Sequence, residues 1–173
     1  MHAFRLVTNA PPVDPVDRLM MERAIELANR AAALDEVPVG AVIYRGAEII
    51  AEAHNTRETD ADPVGHAELL AIRLAARRLG RWRLSGCSLA VTLEPCPMCA
   101  GALVNARIDR LVYGARDPKA GACGSLFRIP TDVRLNHRVE IIEGVMAKEC
   151  GKLLTDFFRT KRQLTRERRA KAG

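Results

Sequence analysis

No run of apolar residues in this chain approaches the length needed to cross a bilayer, which excludes a membrane-spanning helix. The first seventeen residues, Met1 to Asp17, hold Pro11, Pro12 and Pro15 but no signal-peptide apolar core and no amphipathic, Arg-rich organelle signal. They read as a flexible leader. Cysteine is present in an odd number, five, with no spacing that suggests a disulfide frame. Cys87, Cys123 and Cys150 lie in or near apolar segments and read as small core residues. A reducing cytoplasm is the simplest compartment for such a chain. Aromatic residues are few, with one Trp, two Tyr and four Phe, so Phe157 is read as core and not as a contact residue. Internal repeats and low-complexity segments are absent.

What is present fits one soluble globular domain: 173 residues, 48% hydrophobic and 28% charged. Net charge is +6 and unevenly spread. From Thr155 onward, Arg159, Lys161, Arg162, Arg166, Arg168, Arg169 and Lys171 face only Asp156 and Glu167, so this end carries +5 of the total. A basic tail of this kind suits a polyanionic partner, although a solvated terminal helix has the same composition.

Apolar spacing predicts a helix from Val16 to Asp35. Strands follow at Val37 to Tyr44 and Glu48 to Ala53, joined by the turn Arg45-Gly46. A helix from His66 to Leu79 is expected to start from Asp62-Pro63, a good N-cap and first-turn pair, and to bury Leu69, Leu70, Ile72, Leu74 and Ala75 before stopping at Gly80. Ser88 to Leu93 reads as a strand and Pro97 to Arg107 as a helix, with Ala100, Gly101 and Ala102 allowing close packing on a sheet. Strands at Arg110 to Tyr113 and Arg138 to Ile142 flank a long Gly-rich loop, Gly114 to Asn136, of a length that is usually functional or mobile. A last helix runs from Val145 to at least Arg162. This order gives an α/β sandwich in which helices cover a mixed five-stranded sheet.

The chemistry concentrates in Asp62-Pro63-Val64-Gly65-His66-Ala67-Glu68 and Glu94-Pro95-Cys96-Pro97-Met98-Cys99. His66, Cys96 and Cys99 form a donor set suited to zinc, and three protein ligands with one open position is the usual catalytic arrangement. The two thiols sit three residues apart, on one face of a helical first turn. His66 and Glu68 can share a site only where a helix begins. Both helices would then meet at their N-termini, whose dipoles favour thiolates and developing negative charge. Glu68 is the candidate proton shuttle, since a carboxylate beside an activated water can take its proton and pass it on. Alone, Cys-x-x-Cys also fits a redox pair or half of a structural zinc knuckle. A structural site needs a fourth ligand, and His2, His54, His137, Cys87, Cys123 and Cys150 offer no second ligand spacing. Both halves match the known signature H-x-E followed by P-C-x-x-C of zinc nucleobase deaminases, in which the glutamate protonates a ring nitrogen and then the departing ammonia.

Further segments narrow the match. Val37-Pro38-Val39-Gly40-Ala41-Val42, the Asn55 loop, Val91 to Ala102, Tyr113-Gly114-Ala115-Arg116-Asp117, Gly121 to Leu126, Asn136 to Glu140 and Asp156-Phe157-Phe158-Arg159 resemble bacterial tRNA adenosine deaminases, of the cytidine deaminase-like superfamily. The resemblance runs from about Arg18 to Gln163. It implies a three-layer fold, one zinc ion per subunit, a cytoplasmic homodimer, and conversion of the wobble adenosine of a tRNA anticodon to inosine, with arginine tRNA as the expected substrate. It implies that Asn55 bonds the flipped base and that Asp117, Phe158, Arg159 and Lys161 lie near the anticodon loop. Residues 1–17 are then the leader, 18–163 the deaminase domain and 164–173 the basic tail. Asn55 also fits a turn, and Asp117 also fits a loop-holding role. Asn136-His137 reads as structural. Val64-Gly65 and Trp82 depart from the residues common in relatives. Two other functions share the motifs: a guanine, cytidine or other free-base or nucleoside deaminase, and a zinc-stabilised RNA-binding module without activity. The basic tail and the Arg116-Asp117 loop favour a macromolecular substrate.

Overall fold

The computed structural model describes residues 13–172, so most of the expected leader, residues 1–12, lies outside the described residues. Helix α1 (Pro15–Ala33) opens with Pro15 at its first position and Asp14 as cap, whose carboxylate accepts from Val16 N at 2.8 Å. The helix therefore takes in Pro15 to Asp17, and Asp17 is a buried anchor. Its Oδ1 accepts from the Tyr44 hydroxyl and from Arg110 Nη1, each at 2.7 Å.

Strands β1 (Gly40–Arg45) and β2 (Glu48–His54) form a hairpin around Gly46, whose φ of 55° suits glycine. Then come α2 (Ala67–Leu79), β3 (Ser88–Leu93), α3 (Pro97–Ala106), β4 (Arg110–Ala115), a single 3-10 turn (Ile129–Thr131), β5 (Glu140–Glu143) and α4 (Ala147–Ala172). The sheet order is β2-β1-β3-β4-β5, antiparallel on the hairpin side and parallel from β3 to β5. This is the mixed five-stranded α/β sandwich expected from the sequence.

Each central strand is apolar on both faces, as a sheet covered on both sides requires. Ala41, Ile43, Leu89, Val91, Leu111 and Tyr113 pack with Ala67, Ala71, Ala75 and Leu103 of α2 and α3. Val42, Tyr44, Ala90 and Val112 face Met20, Met21, Ala24 and Leu27 of α1 and Cys150 of α4. The chain leans closely on its small residues. A Cβ on Gly40 would lie 2.8 Å from Leu27 Cβ, so only glycine lets α1 sit this near β1.

Three local expectations are corrected. Asp62-Pro63 does not cap α2; Asp62 Oδ1 accepts from Val64 N at 2.9 Å, closing a turn, and the helix begins at Ala67 with His66 as its N-cap. Leu74 is not buried but 45% exposed, and Leu69, Leu70 and Ile72 are only half-buried, because the face that meets the sheet is Ala67, Ala71 and Ala75, at four-residue spacing. Gly101 faces open space, and the side of α3 that packs is Ala100, Leu103, Val104 and Ala106. Cys87, Cys123 and Cys150 are free and buried, as expected.

The topology gathers several loops at one end of the sheet. β3 and β4 are parallel, so their carboxyl ends release Glu94-Pro95-Cys96 and Arg116-Asp117 side by side. β2, antiparallel to β1 and so running in the same direction as β3 and β4, ends at the same edge and delivers Asn55, bonded through its N–H to Val39 O at 3.1 Å.

Candidate active site

Two helix starts converge here. His66 caps α2 and Cys96 caps α3 without using their side chains as caps, which leaves the imidazole and thiol free to face one another. His66 Nδ1 lies 3.7 Å from Cys96 Sγ and 3.5 Å from Cys99 Sγ, and all three donor atoms fall within 4.8 Å of one another. A tetrahedral ion with bonds of about 2.0–2.3 Å needs ligand atoms roughly 3.5 Å apart, so the spacing fits a metal without rearrangement. Among the described residues, no other His, Cys, Asp or Glu forms such a group. The Cys96 thiol is held down at about 4, first by its hydrogen bond with Cys99 and then by the imidazole; the bond with Cys96 pushes Cys99 far up.

Glu68, in the first turn of α2, sits beside this cluster and is only 4% exposed. Burial pushes its carboxyl up from the ordinary glutamate value, because the charged form is the one that desolvation penalises. Asn55 is also buried. Its Oδ1 accepts from Ala67 N at 2.9 Å, capping α2 from outside. With the acceptor end engaged, the amide presents its NH2 as a donor to anything bound in the cavity.

These residues line a cavity of about 640 Å³. Apolar Val37, Val39, Leu93 and Leu154 make part of its wall, while Asn55, His66, Glu68 and Cys96 make its floor and Asp117 and Phe158 its rim. Asp117 has a second task, because its Oδ1 accepts from Lys119 N at 2.9 Å and from Ala120 N at 3.2 Å, closing the turn. Phe158 is 44% exposed and meets Phe157 edge-on, at 5.4 Å between ring centres.

Arg159 and Lys161 do not line the cavity. Arg159 bonds Asp156 on its own helix at 2.7 Å, and Lys161 pairs with Asp35 at the end of the turn after α1. The physical reason is helical periodicity. Leu154, Phe158 and Arg162 recur every four residues and share the face toward the cavity, whereas positions 159 and 161 point elsewhere. The spacing from Phe158 carried that signal. Reasoning from the sequence also missed Arg57 and Lys119, which join Arg162 at the mouth; among the described residues none of the three has a carboxylate within 4.0 Å. Arg116 lines the cavity too, but Glu143 holds it at 2.6 and 2.8 Å.

The chain is similar to known proteins over most of its length. Residues 16–162 match the family of MafB19-like deaminases. The chain is 50% identical to a tRNA-specific adenosine deaminase of Bacillus subtilis over 147 residues, covering 85% of this chain and 91% of that protein. It is 47% identical to the protein of the same name in Haemophilus influenzae over 148 residues, covering 85% and 86%. A structure solved in studies of A-to-I editing by tRNA:A34 deaminases at the wobble position of transfer RNA superposes with a TM-score of 0.76 at 42% identity, over 79% of this chain and 99% of that one.

Proposed function

This chain belongs to the MafB19-like deaminases and, within them, to the tRNA-specific adenosine deaminases, and from that membership we propose that it converts the wobble adenosine of a tRNA anticodon to inosine, with arginine tRNA as substrate. The observation that carries this reading is a buried carboxylate, Glu68, beside a three-donor metal cluster on the floor of a cavity large enough for a base.

His66 Nδ1, Cys96 Sγ and Cys99 Sγ would hold zinc, the ion that two thiolates and an imidazole suit. When bound, zinc supplies the Lewis acidity that makes water nucleophilic near neutral pH. The rest falls to the chain. Asn55 donates its NH2 to an acceptor on the flipped base and fixes the ring over the floor. Glu68 takes a proton from the attacking water and delivers it to a ring nitrogen. It then carries the second proton to the departing amino group, so the bond between the ring carbon and its exocyclic nitrogen breaks, ammonia leaves and the carbonyl of inosine remains. The apolar wall limits competing water.

An anticodon loop offers a nucleotide that can be splayed out and backbone phosphates beside it. Arg57, Lys119 and Arg162 stand at the mouth where those phosphates would pass, with Asp117 and Phe158 against the neighbouring nucleotides. α4 continues beyond Arg162 to Ala172, with residues 162–171 exposed, so the basic residues of the tail lie on the same helix that lines the cavity. A homodimer acting in the reducing cytoplasm completes the reading. Among the described residues, no helix is long and apolar enough to cross a membrane.

Purified protein incubated with arginine tRNA carrying a wobble adenosine should yield inosine at that position, and no product from free guanine or cytidine. Deamination of a free base or nucleoside with tRNA untouched would replace this reading with the small-substrate one. Affinity for the RNA should also fall steeply with salt. Removing residues 166–173, or replacing Arg162 by Ala, should flatten the log-log slope, by about 0.7 for each single-strand phosphate that is no longer neutralised. An identical slope after both changes would make the tail and Arg162 bystanders.

A further inference from the structure

The loop between β4 and β5 is long, yet its first part is bound to one buried side chain. Glu94, 2% exposed, follows β3 and precedes the Pro95-Cys96 turn. Its Oε1 accepts from Cys123 N at 3.0 Å and Ser125 N at 2.9 Å, and its Oε2 from Asp117 N at 3.0 Å and from the Ser125 hydroxyl. All four donors belong to the segment 117–125. Its far half is also held elsewhere, by Ala122 N to Pro95 O at 2.8 Å, Ile129 N to Ala122 O at 3.0 Å and the burial of Ala122 and Cys123 in the core. Asp117 to Ala120, by contrast, have besides the bond to Glu94 only bonds within the turn, such as Gly121 N to Asp117 O at 2.8 Å.

Gly121 shows how tight this seat is. A Cβ there would collide with the Glu94 carboxylate, so the loop closes over the side chain with no room for a methyl group. The outer side of the same segment, Asp117 to Ala120, is a wall of the cavity. Four charge-assisted hydrogen bonds into one carboxylate thus fix the position of a wall that faces the bound nucleotide. No other carboxylate among the described residues bonds this segment, except Asp117 within its own turn.

We propose that Glu94 is a positioning residue for substrate: its carboxylate sets where the Asp117–Ala120 wall stands, and through that wall it controls how well the RNA is bound. This rests on the deaminase reading above. The role differs from that of Glu68, because Glu94 moves no proton and its oxygens are occupied by the loop. A glutamine at this position keeps the shape but offers one acceptor oxygen in place of two, so donors now directed at Oε2 or Oε1 meet an NH2 group. The wall should shift or loosen. Contacts that hold the substrate equally before and during reaction govern KM and leave kcat nearly unchanged.

The test uses the full-length zinc-loaded protein and an anticodon stem-loop containing adenosine. Glu94→Gln should raise KM about tenfold or more with kcat within about threefold, since small displacements of a binding wall are costly. Zinc content should stay at the wild-type level, and amide hydrogen exchange should quicken at Asp117, Cys123 and Ser125. Gly121→Ala, which crowds the same carboxylate from the loop side, should raise KM in the same way. Ser125→Ala should do so more weakly and non-additively with Glu94→Gln. If Glu94→Gln does not fold, Gly121→Ala and Ser125→Ala carry the same comparison. An unchanged KM despite faster exchange would overturn the inference, and so would a raised KM with unchanged exchange or with depleted zinc. Wild-type protein that deaminates no adenosine stem-loop would sink the deaminase reading, and this inference with it. Wild-type turnover with an unchanged KM in the variants sinks the inference alone.

Discussion

Glu68→Gln should abolish nearly all deamination while leaving the protein folded and its metal bound. The side chain is buried in the first turn of α2 and is not one of the three clustered donors, so its loss removes neither a ligand nor packing volume. What disappears is the buried carboxylate beside the three clustered donors, the group proposed to shuttle protons between water, ring and leaving group. General acid–base catalysis is worth about 10²–10⁴-fold, and one residue serving at several steps belongs at the upper end. The measurement is single-turnover inosine formation, with metal content and thermal melting as controls. Activity within about tenfold of wild type would remove Glu68 as the shuttle, and a loss of metal would mean that it is a ligand.

Cys99→Ala should have the larger effect and a different signature. Cys99 is fully buried at the start of α3, and its sulfur faces His66 Nδ1 at 3.5 Å. Two donors do not hold zinc against competition from buffer and chelators, so the variant should purify with far less than one ion per chain and show no detectable turnover. Its melting temperature should also fall, because the helix starts of α2 and α3 are joined through these side chains and metal affinity adds to folding free energy. Elemental analysis and thermal melting with and without a chelator check this. The two variants separate cleanly: Glu68→Gln loses chemistry and keeps the ion, whereas Cys99→Ala loses both. A Cys99→Ala protein that retains stoichiometric zinc would contradict the ligand assignment.

The metal cluster was legible in the sequence because chemistry restricts it so narrowly. Only a few residue types bind zinc, and Cys96 and Cys99 must share a helical turn. Strands were nearly as clear where both faces are buried; β3 spans Ser88–Leu93 as its apolar run suggested. Errors arose where a local signal had two meanings. Asp62-Pro63 has the residues of a helix cap, but here the Asp closes a turn five residues before the helix begins. In α2, large leucines outweighed the alanines, although close approach of a helix to a sheet favours the small side chains of Ala67, Ala71 and Ala75. At the cavity, helical register adds Arg162, four residues on from Phe158, a position that the sequence reading did not name as a site residue.

Least legible were the buried carboxylates. Glu36 accepts from Thr59 N at 2.6 Å and holds the loop that follows Asn55, and Glu94 holds the loop that carries Asp117. In the sequence both look like ordinary solvated glutamates. Their partners are backbone N–H groups 23 or more residues away, and no pattern of side chains announces such a bond. The clustered donors His66, Cys96 and Cys99 could therefore be named from spacing, while the carboxylates that hold the walls around them emerged only from the fold.

X-ray absorption at the zinc edge of the purified wild-type protein tests the central claim most directly. The account predicts one zinc ion per chain with two sulfur and one nitrogen ligand from the protein and a fourth, light ligand that exchanges with solvent. A coordination sphere closed by a fourth side chain, or protein active without stoichiometric metal, would contradict it.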